Sequence, residues 1–468
     1  MKKSLIIKLV ISLLFILLSC CLYTKVNNMN VVPNKYLVLL ILILVVLNIL
    51  GILFLLKKGV IGKIISGIIY VIIFIVSIIG IRYSNITIKI FNKAFDNQRE
   101  HIVYDVIVLK DSGYTKIEDL SDKRVGYLLI DKIEYIHEIN KSVVVNTEPH
   151  DMYSIYEGLM NKNLDGIIMK DSYINLIEDM YPDFSEKIEV LYAYTIDIPA
   201  TKKREKVTKL KPVNIYISGL DNNSDVVEAS GLSDVNMILT INPNNKTLLI
   251  TSIPRDFFVE LHGVEGEKDK LTHTGVYGIE MSKTTLEDLF DIKIDYTVKV
   301  GFVSVINVVN LIGGIDIESD TAFWSYHYKG WYVEEGMNHM DGAHALAYAR
   351  ERYAYPDGDY HRVRNQQQVF EAIFNKIITN KSMLYKYDTL LTELSNLYIT
   401  DIPKEYVTLL IKSQISDMRS WKVIRQSVYG ESFMTSCFTL PGWTVLAVEP
   451  NMDSVHEAKD KMEEVLNG

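Results

Sequence analysis

Cysteine is nearly missing from this chain: three in 468 residues, Cys20, Cys21 and Cys437. The first two fall inside an apolar run, so Cys437 stands alone in the remainder and an internal disulfide there is excluded. Sparse cysteine suits a bacterial surface protein better than an animal ectodomain. The histidines His262, His273, His327, His339, His344 and His361 show neither H-E-x-x-H nor cysteine-pair spacing, which argues against zinc. Ser218 sits in ISGL and not in a G-x-S-x-G elbow, which argues against a serine hydrolase. Gly313-Gly314 reads as a turn before a strand, not as a phosphate loop. Positive charge is also in deficit, with a formal net charge of -9, which disfavours nucleic acid as a partner.

Apolar residues are in excess, at 48% of the chain, and much of that excess is N-terminal. Three runs, Ser4 to Tyr23, Tyr36 to Leu56 and Ile64 to Ile81, each approach the roughly 20 residues a helix needs to cross a bilayer. Two further runs follow the first closely, and Cys20-Cys21-Leu22 is a poor cleavage site, so a removed signal peptide is disfavoured. Lys2 and Lys3 precede the first run and Lys57, Lys58 and Lys63 fill the second loop, against Lys25 and Lys35 in the first loop. The positive-inside rule then puts the N-terminus in the cytoplasm and everything after about Arg82 outside, in a multi-pass protein of the plasma membrane.

The remainder divides into two α/β parts. Residues 83–200 alternate strands (YDVIVLK, KRVGYLLI, KSVVVN, LDGIIMK) with a helical MYSIYEGLMNKN, and resemble half of a periplasmic solute-binding fold. No catalytic constellation stands out there, and a packing or spacer role is an equal reading. Residues 201–212, TKKREKVTKLKP, read as a linker. From 213 to 468 the pattern is strand NIYISGL, a polar loop, strands VNMILTI and TLLITSI, helices near Thr284 to Phe290 and Phe302 to Leu311, then helical HALAYARER and YHRVRNQQQVFEAIFNKII. This reads as a central mixed sheet covered by helices.

Four arginines, Arg350, Arg352, Arg362 and Arg364, lie close together in that last region. A guanidinium is always charged and its planar fork holds two phosphate oxygens, so the cluster suits a phosphate-rich ligand. Surface pairing with Glu351, Asp357 and Asp359 remains the alternative. Arg362 and Gln366, four apart on a helix, share a face. Asp221 directly follows strand NIYISGL, Asp234 opens the next strand, and Arg255 follows TLLITSI. Strand ends are where open α/β sheets place ligands, and two carboxylates there suit Mg²⁺.

The ordered motifs SGLDNNSD, SDVNMILTINPNNKTLLITSIPRD, DKLTHTGVYG, NHMDGAHALAYARER and GDYHRVRNQQQ, from about Pro212 to near Asn396, resemble the LytR-CpsA-Psr family of bacterial envelope proteins. Three N-terminal spans and an intervening accessory domain are similar to its capsule-associated branch. The implied fold is α/β: three transmembrane helices, a small accessory domain, then a LytR-CpsA-Psr domain with a C-terminal extension. The implied activity is transfer of a polyprenyl-pyrophosphate-linked glycopolymer, capsular or teichoic-acid-like, to a peptidoglycan hydroxyl, with release of polyprenyl phosphate.

Carried over by position, the resemblance implies that Asp221 and Asp234 hold Mg²⁺, with Asp234 also the candidate base. Arg255, Lys270, Arg350, Arg352, Arg362 and Gln366 would bind the pyrophosphate, and Asp234, Arg255 and Arg362 would be the catalytic set. The lipid would occupy an apolar pocket to which Phe302 to Leu311 contributes. Two departures stand out: Leu232 replaces the arginine usual before Ser-Asp, and Asn365-Gln366 replaces Arg-Gln. Hydrolysis of the pyrophosphate by water would use the same residues, and a non-enzymatic envelope sensor or transcriptional attenuator is the remaining alternative.

Overall fold

The computed structural model describes residues 2–96, 99–131, 133–142, 146–199, 207–220, 227, 230–380, 387–394 and 397–468. Three helices open the chain, α1 (Lys2–Asn28), α2 (Asn34–Leu56) and α3 (Val60–Phe91), each long and apolar enough to cross a membrane. Polar side chains join them where an apolar surround makes hydrogen bonds effective glue: Asn48 Nδ2 donates to Ser19 Oγ at 2.9 Å, and Ser66 Oγ donates to the Gly51 carbonyl at 2.9 Å. The third helix runs ten residues beyond the apolar stretch that ends at Ile81. Its extension buries Ser84, Thr87 and Phe91, a periodicity that hydropathy alone does not register.

The accessory sheet contains β1 (Arg99–Leu109), β2 (Arg124–Leu128), β3 (Asn146–His150), β4 (Gly166–Lys170) and β5 (Ile188–Pro199), in the order β3-β2-β4-β1-β5. The strand expected over KSVVVN is displaced. Lys141 and Ser142 end a helix, Ile133–Ser142, residues 143–145 lie outside the described set, and the strand is NTEPH. Helical spacing of the buried Ile136 and Ile139 wins locally, and Pro149 is tolerated because β3 is an edge strand.

A second, six-stranded sheet has the order β16-β11-β6-β7-β8-β17. Its strands are β6 (Val213–Leu220), β7 (Ser233–Asn242), β8 (Thr247–Ile253), β11 (Tyr296–Gly301), β16 (Tyr398–Thr400) and β17 (Lys422–Ser427). Pairing is parallel for β11 with β6 and for β8 with β17, and antiparallel elsewhere, so the sheet is mixed. Both faces are covered. Ile238, Leu249 and Ile253 pack against helices Ile279–Phe290 and Met452–Asn467, while Met237, Leu248 and Ile250 belong to a cluster with Phe370, Phe374 and Tyr406 on the opposite side. Burial on two faces explains why VNMILTI and TLLITSI are continuously apolar rather than alternating.

Outside this sheet, β9 (Phe258–Glu260) pairs with β10 (Lys268–Lys270), and β12 (Ile315–Ser319) precedes a small hairpin of β13 (Phe323–Trp324) and β14 (Tyr332–Val333), followed by β15 (Gly336–Met340). The two α/β parts share a core: Ile107, Tyr156, Leu176 and Phe184 of the first cluster with Leu232, Val276, Leu440 and Trp443 of the second. Trp443 Nε1 donates to Tyr181 Oη at 3.2 Å across that junction.

Candidate active site

The centre of the site lies where β7 begins and β8 ends. These strands are antiparallel neighbours, so Asp234 at one strand's start and Arg255 just past the other's end arrive side by side. Arg255 Nη1 donates to Asp234 Oδ1 at 2.8 Å. Thr272 locks the pair: its N–H donates to the Arg255 carbonyl at 2.8 Å, and its hydroxyl to Asp234 Oδ1 at 3.3 Å. Gly275 makes this approach possible, because a Cβ there would lie 2.2 Å from the carbonyl oxygen of Gly231.

Behind the pair, Lys270 Nζ lies 2.6 Å from Asp256 Oδ1, and Asp256 Oδ2 is 3.7 Å from Arg255 Nε, too far for a hydrogen bond. Burial opposes the charge on Arg255, but Asp234 and Asp256 outweigh it and hold the guanidinium proton more tightly than usual. Burial likewise opposes ionisation of Asp256, yet Lys270 and Arg255 keep its carboxyl below the ordinary range.

Arg362 enters from the helix Asp359–Thr379, whose buried polar side chains explain its unusual sequence. Gln367 Nε2 donates to Ser252 Oγ and to the Gln426 carbonyl, and Asn365 Nδ2 donates to the Tyr348 carbonyl, so this face docks by hydrogen bonds. Arg362 Nη2 contacts Asp359 Oδ1 at 2.6 Å and lies within electrostatic reach of Asp234, Arg255 and Arg352. Burial and Arg255 weaken its hold on its proton, with Asp359 opposing them. The Nε atoms of both Arg255 and Arg362 are buried with no hydrogen-bond partner among the described residues. Two buried, unsatisfied N–H donors on charged groups are costly unless an acceptor arrives.

Next to these charges is an apolar cavity of about 110 Å³ between the sheet and helices Phe302–Leu311, Gly342–Arg350 and Asp359–Thr379. Gly219, Leu220 and Val235 line one wall, Phe302 and Val305 another, and the polar side chains Arg350 and Gln366 complete it. The Arg350 guanidinium sits 4.4 Å from the centre of the Phe302 ring. Close packing of two of these helices needs Gly342, whose Cβ would meet the Ile306 carbonyl oxygen at 2.2 Å.

Arg352 stacks over Tyr353 and donates to its hydroxyl at 2.7 Å. Arg364 stays exposed, paired with Asp357 at 2.5 Å, as expected of an ordinary surface arginine. Glu351, which reads in sequence as a surface partner, is instead fully buried and accepts backbone N–H bonds from Tyr326, Arg352 and Tyr353. Asp221 lies outside the described residues; Leu220 just before it pairs with Ser233, just before Asp234. Asp234 Oδ2 makes no hydrogen bond among the described residues. An open carboxylate oxygen at this strand end fits a hard cation such as Mg²⁺.

Thr272, Asp256 and Asp359 were not singled out by sequence as site components; the proximity of the latter two to Arg255 and Arg362 was their only signal. A buried trio, Asp269, His273 and Cys437, supports the site from behind. Asp269 Oδ1 meets His273 Nδ1 at 2.6 Å, and its Oδ2 accepts the Thr439 N–H at 2.7 Å. Both oxygens are engaged, and burial with Asp269 nearby pushes the Cys437 thiol up to about 12, so the trio is a neutral-thiol scaffold under Lys270. Leu232, where an arginine is usual, is buried in the shared core, out of the charged cluster.

The family description "LytR_cpsA_psr family" matches residues 184–459, more than half the chain. The chain belongs to the LytR-CpsA-Psr family. Among relatives, it is 33% identical over 216 residues to the polyisoprenyl-teichoic acid–peptidoglycan teichoic acid transferase TagU of Bacillus cereus (strain AH820), covering 46% of this chain and 66% of that protein. The alignment thus spans just under two thirds of that relative's length. A TagU of Enterococcus faecalis is 29% identical over 258 residues, 54% of this chain and 82% of that one. The crystal structure of B. subtilis TagV superposes with a TM-score of 0.47 and 28% identity, over 56% of this chain and 99% of that one.

Proposed function

We propose that this LytR-CpsA-Psr protein is a membrane-anchored phosphotransferase, with its C-terminal parts outside the cell, that moves a glycopolymer from a polyprenyl pyrophosphate to a peptidoglycan hydroxyl. The observation that carries the reading is the pair of buried guanidiniums with unpaired Nε–H groups beside Asp234, next to an apolar cavity. A diphosphate satisfies the donors, and the apolar cavity takes the start of a polyprenyl chain. The names of the TagU relatives agree with this chemistry.

In the proposed step, the acceptor oxygen forms a bond to the sugar-bearing phosphorus while the bond from that phosphorus to the bridging oxygen breaks. Polyprenyl phosphate leaves with the electron pair, and the acceptor proton passes to Asp234 or to water. Phosphoryl transfer needs positioning and charge neutralisation more than covalent work by the protein. Arg255 and Arg362 grip the diphosphate oxygens, Lys270 fixes Asp256 behind Arg255, and Arg350, Arg352 and Gln366 hold the ligand where cavity and charges meet. Magnesium held by Asp234 Oδ2 and Asp221 would add positive charge at the phosphates.

The test uses the full chain in detergent micelles with a polyprenyl-pyrophosphate glycan, Mg²⁺ and a peptidoglycan oligosaccharide. A covalent glycan–oligosaccharide product is expected. Release of polyprenyl phosphate without that product would make the protein a hydrolase, and binding without turnover would make it a sensor. Chelation is expected to stop turnover while diphosphate binding persists. Unchanged turnover in chelator would leave Asp234 as proton acceptor only.

A further inference from the structure

Close to the charged cluster, the β13–β14 hairpin and the segment after Arg350 present an unusual surface. Trp324 is 68% exposed, Tyr326 65%, Tyr353 57% and Tyr332 44%. Large exposed aromatics gathered in one place mark an interaction surface. Trp324 and Tyr332 face each other across the hairpin at 5.0 Å, and Tyr326 and Tyr353 lie 4.4 Å apart. These rings are held in place: one buried carboxylate, Glu351, accepts from the N–H groups of Tyr326 in the hairpin and of Tyr353 in the other segment.

The surface is continuous with the diphosphate site. Tyr353 receives the hydrogen bond from Arg352. His327 meets Tyr326 edge-on with ring centres 5.3 Å apart and lies within electrostatic reach of Arg350 and Arg352. Arg350 also reaches the apolar cavity. Cavity, guanidiniums and aromatic surface therefore adjoin one another, the order in which a lipid, a diphosphate and a first sugar are joined in a polyprenyl-pyrophosphate glycan.

We propose that the Trp324, Tyr326, Tyr332 and Tyr353 rings form a saccharide platform that binds the first pyranose units of the donor glycan. This rests on the diphosphate reading above. The C–H face of a pyranose stacks on an aromatic ring, while its hydroxyls exchange hydrogen bonds with phenol groups; rings with one apolar body and one polar tip suit such a ligand. A membrane surface is the rival occupant, since Trp and Tyr also favour lipid interfaces. The contacts joining the membrane helices to the rest of the protein run instead through Tyr398, Lys404 and Thr408.

The experiment compares two probes on the full chain: farnesyl pyrophosphate, and a polyprenyl pyrophosphate of the same chain length bearing an N-acetylhexosamine disaccharide. Wild type is expected to bind the sugar-bearing probe more tightly. The W324A/Y326A double variant should lose about tenfold in affinity for it, and nothing for farnesyl pyrophosphate. Equal wild-type affinity for the two probes would overturn the platform and leave the diphosphate reading standing. So would an equal loss for both probes in the variant, which would mean the rings merely support Arg352. Weakened sedimentation of the variant with phosphatidylglycerol vesicles, with probe affinities unchanged, would assign the surface to the membrane. Failure of wild type to bind either probe would remove both proposals together.

Discussion

Arg255 and Arg362 are both buried arginines, yet they are held differently, and their variants should behave differently. Arg255 neutralises two partly buried carboxylates, Asp234 and Asp256. Arg255→Ala strips Asp234 of its cation while Lys270 still holds Asp256, and breaking such a pair costs on the order of 3–5 kcal/mol, so a lowered melting temperature should accompany lost activity. Among the described residues Arg362 pairs with Asp359 alone, which water reaches once the arginine is gone. Arg362→Ala should keep its melting temperature within a few degrees of wild type and lose roughly 10²–10³-fold in kcat, the cost of one oriented donor to a developing charge. Circular-dichroism melts beside steady-state rates separate the two. Asp256 supplies a pH signature. Its folded carboxyl titrates below the ordinary 3.8, so its stabilisation is complete above that value and is lost as pH falls through the lower, folded value. Asp256→Asn should flatten the acid limb of the stability curve, as read by melting between pH 5 and 2. Asp234 and Arg255 stood out in sequence because they lie at strand ends, and Arg362 because it belongs to an arginine cluster. Thr272 was not, because which side chain closes a hydrogen bond depends on how two distant loops approach.

At the scale of elements, the helices around the cavity depend on close approach. Gly342→Ala would push a methyl group into the Ile306 carbonyl, a backbone atom that cannot swing away, and is expected to cost about 1–3 kcal/mol in denaturant unfolding. Leu232 stands where an arginine is usual, and in place it is an apolar contact in the core shared by the two α/β parts. Leu232→Arg should therefore destabilise the protein by several kcal/mol through burial of an unpaired charge, without tighter diphosphate binding. Most strands and helices of the second sheet were readable from apolar runs and turn residues. The strand expected at KSVVVN was not, since an apolar run alone does not fix where a helix ends and an edge strand begins.

For the whole molecule, the membrane helices and the six-stranded α/β part form one connected body. The end of α3 continues into Phe95 and Ala94, which pack with Tyr398, Val407 and Ile411, and Lys404 Nζ reaches Asn92 Oδ1 at 2.9 Å. Such a stem would hold the cavity at a set height relative to the bilayer. The three helices were legible through hydropathy, but this docking only the folded chain reveals; the orientation read from the lysine distribution is a proposal. Orientation is testable with an impermeant thiol reagent on intact cells: Lys329→Cys should be labelled and Lys58→Cys should not, with the buried native Cys437 silent.

The central claim is that guanidiniums from two distant segments close on one diphosphate beside Asp234. A crystal structure of the chain with farnesyl pyrophosphate tests it most directly. The account predicts diphosphate oxygens within hydrogen-bond distance of the Nε atoms of both Arg255 and Arg362, with the first isoprene unit in the cavity lined by Phe302 and Val235. A diphosphate bound elsewhere, with both Nε atoms still unpaired, would contradict it.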